Sequence, residues 1–385
     1  MTVESFRRRN DVNAVVGGLL RDLAFVQTSR PSMFGYKRAA AAVLSLEESL
    51  ANLVRPDGTL VKIPGIGPAS TRVILEVLQS GGSPTVEDAV AHSGQLEDVH
   101  RRRALRENFL SRAEALRLLA DPASAGPSTA DYRGDLQMHS EWSDGSATLE
   151  EIAEACLARG YEYAAVTDHS YGLRIADGMS MAEAEKQHRA IARLKAAYDS
   201  RFRLIRGVEA NIGKEGDLDL QPHEAGCFEL VLAAPHSYLR TAVDQTARLV
   251  RAVENPYVRV LAHPRGRISG SRAGIVADWR AVFAVAAREG VAVEIDGDPA
   301  RQDLDWTLAA AALAAGCLFA LDSDAHTTAQ LRYVETALAH ARLAGIPPDR
   351  VVNCWPLDRL LTWLADRTAR SERSAAINSE RPLTG

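Results

Sequence analysis

The sequence predicts an α/β fold, with a parallel sheet or closed barrel of seven strands preceded by a small all-α domain, and three observations lead to this prediction. Apolar residues recur at helical spacing through residues 1–120. From residue 134 onward, seven short runs rich in β-forming residues alternate with helical stretches. Each of these runs is apolar along its length and ends in His, Asp or Glu. Such an alternation of strands and helices predicts a parallel sheet or a closed barrel.

The helical half contains three amphipathic stretches with glycine- and proline-rich turn signals around them. The stretches are DVNAVVGGLLRDLAFV, YKRAAAAVLSLEESLANLV and STRVILEVLQSG, and the turn signals are SRPSMFG, RPDGT, PGIG and SGGSP. We therefore predict a helical domain over residues 1–120. The Pro-, Ala- and Ser-rich residues 121–133 are predicted to form a linker.

The barrel half is predicted to cover residues 134–366, and the polar residues 367–385 are predicted to form a flexible tail. The predicted strands, in chain order, are GDLQMH, YEYAAVTDH, FRLIRGVEANI, FELVLAAPH, YVRVLAHP, VAVEID and CLFALDSDAH.

The composition is that of an ordinary soluble protein, and its 385 residues suffice for about two domains. No apolar stretch is long enough to span a bilayer, and the N-terminal residues lack the apolar core of a signal peptide. The four cysteines show no paired spacing, so we expect a cytoplasmic protein without membrane association. The first 130 residues are slightly basic and the remainder is acidic, which favours two modules with different tasks.

Polar side chains at the strand ends are the strongest functional signal. The carboxyl ends of all strands in a parallel barrel meet on one face, where active sites are built. A single strand-end histidine is more often structural than a ligand, but five of the ten histidines lie at such ends. Imidazole combined with carboxylate suits Zn, Mn and Fe. The strand-end residues are His139 followed by Asp144, His169, Glu209, His236, His263, Glu294 with Asp296, and Asp324 with His326.

This ligand set exceeds the needs of one ion, so the sequence predicts several. Clustered divalent ions lower the pKa of a bound water and stabilise both the attacking and the leaving oxygen of an in-line displacement. Phosphoester hydrolysis is the reaction that this chemistry indicates.

The ordered motifs GDLQMHSEWSDG, AVTDHS, GVEANI, APHS, LAHP and LDSDAH resemble those of the PHP (polymerase and histidinol phosphatase) family, over residues 134 to about 330. The resemblance implies a distorted seven-stranded (β/α) barrel with two or three divalent ions, Mn²⁺, Zn²⁺ or Fe²⁺. It implies three ligand sets: His139, Glu209 and Asp324 with Gln137; Glu209 as a bridge with His236 and His263; and Asp144, His169 and His326. For catalysis, we expect Glu209 to bridge the ions and His326 or Asp324 to shuttle the proton.

Gln137 departs from the H-x-H pattern of many PHP relatives. A glutamine carbonyl is a harder and weaker ligand than imidazole, so Gln137 is expected to loosen the first site or to favour Mn²⁺ over Zn²⁺. The PHP module of the DNA polymerase X family often has the same DLQ-x-H, which makes Gln137 a feature of that lineage.

Three arginines of the barrel half are candidate phosphate ligands: Arg174, Arg265 and Arg301. A guanidinium fork matches the geometry of phosphate oxygens. A solvated surface role is equally compatible with the sequence.

The stretch VKIPGIGPASTRVILEVL at 61–78 resembles a helix–hairpin–helix motif. Its glycines permit a tight turn, and the helix that begins near Pro68 adds a positive N-terminus. Gly65, Ile66, Gly67 and Arg72 are therefore predicted to contact the DNA backbone without reading bases. A purely structural turn is the alternative. The basic run RRRALR at 101–106 is predicted either to touch DNA or to form a solvated face.

Residues 10 to about 82 resemble the N-terminal domain of the DNA polymerase X family. Some relatives cleave deoxyribose phosphate there through a Schiff-base lysine. No lysine lies between residues 68 and 80, and Arg72 cannot form the imine, so lyase activity is not expected. The interval before the barrel is too short for a polymerase palm and thumb.

The combination predicts a metal-dependent phosphoesterase acting on DNA, with 3′-5′ exonuclease, DNA-end or abasic-site processing activity in DNA repair. DNA is the expected partner, bound mostly through its backbone, and a polymerase or repair partner is not identified. A small-molecule phosphomonoesterase similar to histidinol phosphatase is the first alternative. The second is a non-catalytic DNA-end binding protein.

Overall fold

The computed structural model describes residues 11–198 and 201–366, so the predicted tail at 367–385 lies outside the described residues. Contacts divide the chain into two compact units. The helical unit extends to Pro122 and includes Ile268–Arg272, and the barrel unit contains the remainder from Ala123 onward. Residues 123–133 of the predicted linker therefore group with the barrel unit.

The helical unit packs its helices around an apolar core that includes Leu20, Val43 and Ile74, all fully buried. Its helices are α1 (Val12–Val26), α2 (Arg30–Leu44), α3 (Pro68–Ser80), α4 (Pro84–His92), α5 (Leu96–Ala104) and α6 (Arg112–Ala120), with a 3₁₀ turn at Leu50–Leu53. The stretch SRPSMFG, predicted as a turn, instead begins α2. Proline is tolerated in a first helical turn because its missing N–H would have no partner there.

The basic run RRRALR has a structural role inside the helical unit. Asp22 is fully buried, and its two carboxylate oxygens lie 2.7 Å from Arg103 Nε and 2.5 Å from Arg106 Nη2. Arg102 lies over the Phe25 ring at 3.8 Å. A buried carboxylate requires such partners, so Arg103 and Arg106 neutralise a core charge.

The barrel unit has a seven-stranded parallel sheet with strands in sequence order, which confirms the predicted fold class. The strands are β1 (Gly134–Asp135), β2 (Tyr163–Val166), β3 (Arg203–Asn211), β4 (Leu230–Ala234), β5 (Val258–Leu261), β6 (Ala292–Asp296) and β7 (Leu318–Asp322). The helices are α7 (Leu149–Ala158), α8 (Met181–Tyr198), α9 (Pro222–Ala225), α10 (Thr246–Glu254), α11 (Trp279–Glu289), α12 (Trp306–Ala314) and α13 (Val334–Ala344), and residues 357–366 are also helical.

The first and last strands approach each other at their carboxyl ends. Met138 and Ala325 form an isolated parallel bridge, and the His139 N–H donates to the Ala325 carbonyl at 2.8 Å. Only two residues of GDLQMH belong to a regular strand. Beyond them the backbone is held by side chains, because Leu136 N–H donates to the Asp322 carboxylate. This near-closure brings the ends of β1 and β7 together.

Within the part of the chain that the structure describes, none of the helices is both long and apolar enough to cross a membrane.

Candidate functional site

Six of the seven strands deliver the predicted ligands to one end of the barrel. Glu209 lies within β3, whose buried apolar neighbours fix its position, and the other residues follow their strands. Those that follow strands are His139 after β1, His169 after β2, His236 after β4, His263 after β5, and Asp324 with His326 after β7.

Glu209 is the centre of the cluster and is 1% exposed. Its Oε1 lies 2.7 Å from His263 Nε2 and 3.1 Å from His236 Nε2. Its Oε2 lies 3.2 Å from His139 Nε2 and 3.5 Å from His169 Nδ1. One carboxylate therefore faces four imidazoles, a donor set that could hold a divalent cation.

Two further carboxylates complete the cluster. Asp144 Oδ1 lies 3.3 Å from His326 Nε2, 3.6 Å from His169 Nε2 and 3.8 Å from His139 Nδ1. Asp324 Oδ1 lies 3.1 Å from His139 Nε2. The imidazole of His139 thus lies between both carboxylates.

Three sets of potential ligand atoms each lie within 4.8 Å of one another. They are His139, Asp144, His169 and His326; His169, Glu209 and His236; and His139, Glu209 and Asp324. The structure thus brings together the third set implied by the family resemblance and the His139, Glu209 and Asp324 of the first set. His139 and His169 are each shared by two sets, and His263 approaches the cluster through Glu209.

Gln137 and several ligand candidates carry polar atoms that could accept a cation. Gln137 is fully buried, and among the described residues neither its Oε1 nor its Nε2 has a hydrogen-bond partner. His236 Nδ1 likewise has no hydrogen-bond partner among the described residues. Buried polar atoms without partners are costly, and a divalent cation would satisfy them. The donor set of imidazole, carboxylate and amide oxygen fits such an ion.

The electrostatics of the cluster also favour a bound cation. Burial alone would raise the pKa of Glu209, but the surrounding histidines hold it well below its usual range. Burial alone would lower the pKa of His139, but hydrogen bonds to Asp324 and Glu209 raise it well above its usual range. Nearby positive charge thus stabilises the ionised carboxylates, and protons on imidazole or bound cations can supply that charge.

The candidate phosphate-binding arginines have different surroundings. Arg301 Nη2 lies 3.3 Å from Asp324 Oδ2, so its guanidinium borders the cluster. Arg265 Nη1 donates to Asp305 Oδ2 at 2.9 Å, away from the residues of the cluster. Arg174 is exposed on a 3₁₀ turn after β2. Of the three, Arg301 is the one that the structure brings to the metal-ligand candidates.

Glu294 and Asp296 are fully buried at the end of β6. Glu294 accepts a hydrogen bond from the His263 backbone N–H, and Asp296 Oδ2 lies 3.6 Å from Arg301 Nε. These strand-end carboxylates position ligand candidates and fall outside the three ligand sets.

Two buried residues outside the ligand sets support the cluster, and Asp168 is the one that sequence reasoning did not single out. Asp168 is fully buried and accepts hydrogen bonds from Ser140 N–H at 2.8 Å and from Gln187 Nε2 at 2.6 Å. It therefore fixes the loop that carries His139. Arg267 is 4% exposed and donates to the Arg301 carbonyl at 2.9 Å, so it supports the loop that carries Arg301.

The predicted hairpin of the helical unit forms a tight turn before α3. Gly65 has φ +83°, a conformation that favours glycine, and Ile66 N–H donates to Ile63 carbonyl at 3.2 Å. Gly67 caps α3 without a side-chain hydrogen bond. Ile66 packs against the apolar core of the unit, and Arg72 is exposed on α3.

A depression of about 320 Å³ borders this turn. It is lined by the backbone of the turn, the first residues of α3 and one face of α2, where Arg38 is exposed. The first-turn N–H groups of a helix have no intrahelical partner. Arg38 was not selected from the sequence, because only packing places it beside a turn that lies far along the chain.

The comparisons with known proteins agree with this geometry. A family model described as PHP domain matches residues 135–264. The DNA polymerase/3′-5′ exonuclease PolX of Bacillus subtilis (strain 168) is 35% identical over 222 residues, which is 57% of this chain and 39% of that protein. The chain thus spans well under half the length of that relative.

A second relative and one solved structure are matched over most of their own length. The Probable phosphatase YcdX of Escherichia coli O81 (strain ED1a) is 28% identical over 248 residues, which is 61% of this chain and 95% of that protein. The crystal structure of histidinol phosphate phosphatase from Lactococcus lactis subsp. lactis Il1403, complexed with Zn, L-histidinol and phosphate, is 16% identical with a TM-score of 0.41. It covers 55% of this chain and 94% of that chain. Residues 135–264 of the chain are therefore matched as a PHP domain.

Proposed function

We propose that this protein is a metal-dependent phosphoesterase that acts on DNA, as a 3′-5′ exonuclease or in processing DNA ends or abasic sites. The observation that carries the proposal is the glycine hairpin of the helical unit, which the same chain joins to the ligand cluster of the barrel. A phosphatase for small metabolites needs the cluster but has no use for such a hairpin.

The hairpin has the properties of a site for a DNA phosphate. Gly65 and Gly67 leave the backbone unobstructed, since a Cβ at Gly67 would meet no atom within 4 Å. The first turn of α3 offers unpaired N–H groups and the positive end of the helix dipole. Arg38 and Arg72 add exposed positive charge on the two helices of the hairpin region. Contacts of this kind bind the DNA backbone without sequence preference.

The cluster is the proposed site of two or three divalent ions, Mn²⁺, Zn²⁺ or Fe²⁺. Gln137, His139, Asp144, His169, Glu209, His236, His263, Asp324 and His326 would hold them. Bound divalent ions at such a site supply positive charge for the phosphoryl oxygens and lower the pKa of water.

The side chains of the protein orient the ligand candidates and transfer protons. Glu209 fixes four imidazoles at once through its two oxygens. His326 is the more accessible proton carrier, with 29% of its side chain exposed compared with 2% for Asp324. Asp144 Oδ1 lies 3.3 Å from His326 Nε2, so a carboxylate is in place to orient this imidazole for proton transfer to the leaving oxygen. Arg301 adds a guanidinium beside Asp324.

The relatives favour a phosphoesterase but divide over its substrate. PolX is named as a DNA polymerase and 3′-5′ exonuclease, which supports DNA as the substrate. YcdX is named as a phosphatase, and the match covers 95% of its length. A small-molecule phosphomonoesterase therefore remains the second candidate. A non-catalytic DNA-end binding protein is the third, and the clustered charged ligands count against it.

The test uses purified protein with Mn²⁺ and a DNA duplex labelled at its 3′ or its 5′ end. We expect stepwise shortening from the 3′ end, abolished by a chelator and by His139→Ala. His223→Ala is the matched control, because His223 is an exposed histidine of the barrel unit outside the cluster. Intact DNA together with metal-dependent hydrolysis of small phosphomonoesters would transfer the assignment to the second candidate.

A further inference from the structure

Exposed apolar side chains of the barrel unit collect at the end of the barrel that holds the cluster. Among its described residues, the large hydrophobic side chains that are exposed are Tyr171, Ile175, Tyr238, Val243 and Val276. All of them lie on segments that connect the carboxyl end of a strand to the next helix. Apolar groups on these connections are available to contact an apolar part of a ligand at this end of the barrel.

Tyr238 occupies the most informative position on this rim. It follows the ligand candidate His236 by two residues, and its side chain is 49% exposed. Two residues of chain span at most about 7 Å, so the Tyr238 backbone lies within about 7 Å of the backbone of His236.

The backbone of Tyr238 is held in an unfavourable conformation. Its φ is +59°, which bulky side chains rarely adopt. Gln245 Nε2 donates to the Tyr238 carbonyl at 3.0 Å. Arg248 is 6% exposed and donates to the Ser237 carbonyl at 3.0 Å. Strain that the surroundings maintain in this way is typical of residues with a functional role.

Arg248 also reinforces the Tyr238 ring. Its guanidinium carbon lies 5.4 Å from the ring centroid, within the range of a cation–π contact. The ring is thus supported by a buried cation while nearly half of the side chain faces solvent. A rigid, exposed aromatic ring of this kind is suited to stacking.

We propose that Tyr238 is a stacking platform for the nucleobase adjacent to the scissile phosphate, so that the site takes an unpaired 3′-terminal nucleotide. This inference rests on the proposed action on DNA and specifies its substrate as a single-stranded or frayed end. A base can stack only when it has left its partner strand. Because every base presents a π-face, the platform tolerates all sequences.

Tyr171 is the competing tyrosine on the rim, since it follows His169 by two residues. Its side chain is less exposed, at 37%, and its hydroxyl donates to Glu224 Oε2 at 2.8 Å. That hydrogen bond ties the Tyr171 ring to α9. Tyr171→Ala is therefore the matched control for Tyr238→Ala.

The experiment measures KM and kcat for removal of the 3′-terminal nucleotide from a single strand by the Mn²⁺-loaded full chain. Stacking contributes about 1–3 kcal/mol per base, so Tyr238→Ala should raise KM about 10-fold, with kcat little changed. Tyr238→Phe keeps the ring and should retain the original KM. With an abasic 3′-terminal residue, Tyr238→Ala and the unaltered protein should give equal KM values.

A second readout is independent of hydrolysis. A 3′-terminal 2-aminopurine should lose fluorescence when the unaltered protein or Tyr238→Phe binds the strand, but not with Tyr238→Ala. Quenching without cleavage would sustain the platform and refute the proposed nuclease activity. Three results would overturn the platform. They are cleavage without quenching, an equal rise of KM in Tyr171→Ala, and a KM defect of Tyr238→Ala that persists on the abasic end.

Discussion

The histidines and carboxylates of the cluster act as one unit because a single carboxylate connects them. Glu209 contacts imidazoles that follow four different strands, β1, β2, β4 and β5. The charge of each group is set by its neighbours: Arg301 and His139 oppose the effect of burial and depress the pKa of Asp324. Loss of one member therefore changes the protonation of the others, and single substitutions in this cluster will not be additive.

The role of Gln137 can be tested by separating metal binding from stability. In Gln137→Leu two buried polar atoms without described partners disappear, so the free energy of unfolding of the metal-free protein should rise by about 1–2 kcal/mol. Affinity for the most weakly held ion should fall about 10-fold, because an oxygen ligand is lost. Denaturant titration of the chelated protein and a metal-binding titration measure the two effects.

Gln187 provides the control for this substitution. It is also a fully buried glutamine, but its Nε2 donates to Asp168 at 2.6 Å. Gln187→Leu should lower the free energy of unfolding, since it removes one of the hydrogen-bond donors to the buried Asp168 carboxylate. A loss of stability in Gln137→Leu with metal affinity unchanged would show that Gln137 is structural.

At the scale of elements, the strand ends determine the site and their positions depend on closure of the barrel. β1 contributes only two residues to the regular sheet, yet its continuation reaches Ala325 through the His139 backbone. This contact places His139 between Asp144 and Asp324, which lie far apart in sequence. A short first strand completed by side-chain hydrogen bonds is thus sufficient to position a central ligand candidate.

The hairpin before α3 gives a prediction that distinguishes DNA from small substrates. Gly67→Leu should lower kcat/KM on DNA about 10-fold or more, because its side chain would obstruct the approach of a phosphate to the first turn of α3. The free energy of unfolding of Gly67→Leu should stay within about 0.5 kcal/mol of that of the unaltered protein, since the backbone is extended and a Cβ there has open space. Hydrolysis of a small phosphomonoester should not change.

Gly82 supplies the matched control for the hairpin substitution. It lies in the loop after α3 and also has no atom within 4 Å of a built Cβ. Gly82→Leu should therefore leave both activities intact. Equal turnover of DNA by Gly67→Leu and Gly82→Leu would remove the hairpin from the proposed mechanism.

At the scale of the whole molecule, one chain joins a helical unit to a hydrolytic barrel although its net charge is −5. Overall charge therefore disfavours DNA, and affinity must come from local positive groups. Arg38 and Arg72 are exposed near the hairpin, whereas Arg103 and Arg106 are paired with Asp22. The basic groups available to DNA are thus fewer than the sequence of the helical unit indicates.

The two exposed arginines near the hairpin predict that activity on DNA depends moderately on salt concentration. Contact with about two phosphates should lower kcat/KM on DNA roughly 10-fold between about 50 and 200 mM salt, while a small phosphomonoester changes less than about twofold. Arg72→Gln should reduce the slope of the logarithmic plot by about one. Arg101→Gln is the control, because Arg101 is an exposed arginine of the same unit that pairs with Asp98. An unchanged slope in Arg72→Gln would remove Arg72 from the DNA contacts.

The sequence by itself determined an α/β fold with seven parallel strands and the polar residues that follow them, and the resemblance to the PHP family implied the barrel. The sequence could do so because strand periodicity is local, and because parallel strands must deliver their carboxyl ends to one face. The tertiary structure alone decided that Glu209 faces four imidazoles, that Arg301 rather than Arg265 borders Asp324, and that Arg103 and Arg106 serve a buried carboxylate. These are contacts between segments distant in the chain, and their geometry depends on packing and burial, for which the order of residues carries no local signal.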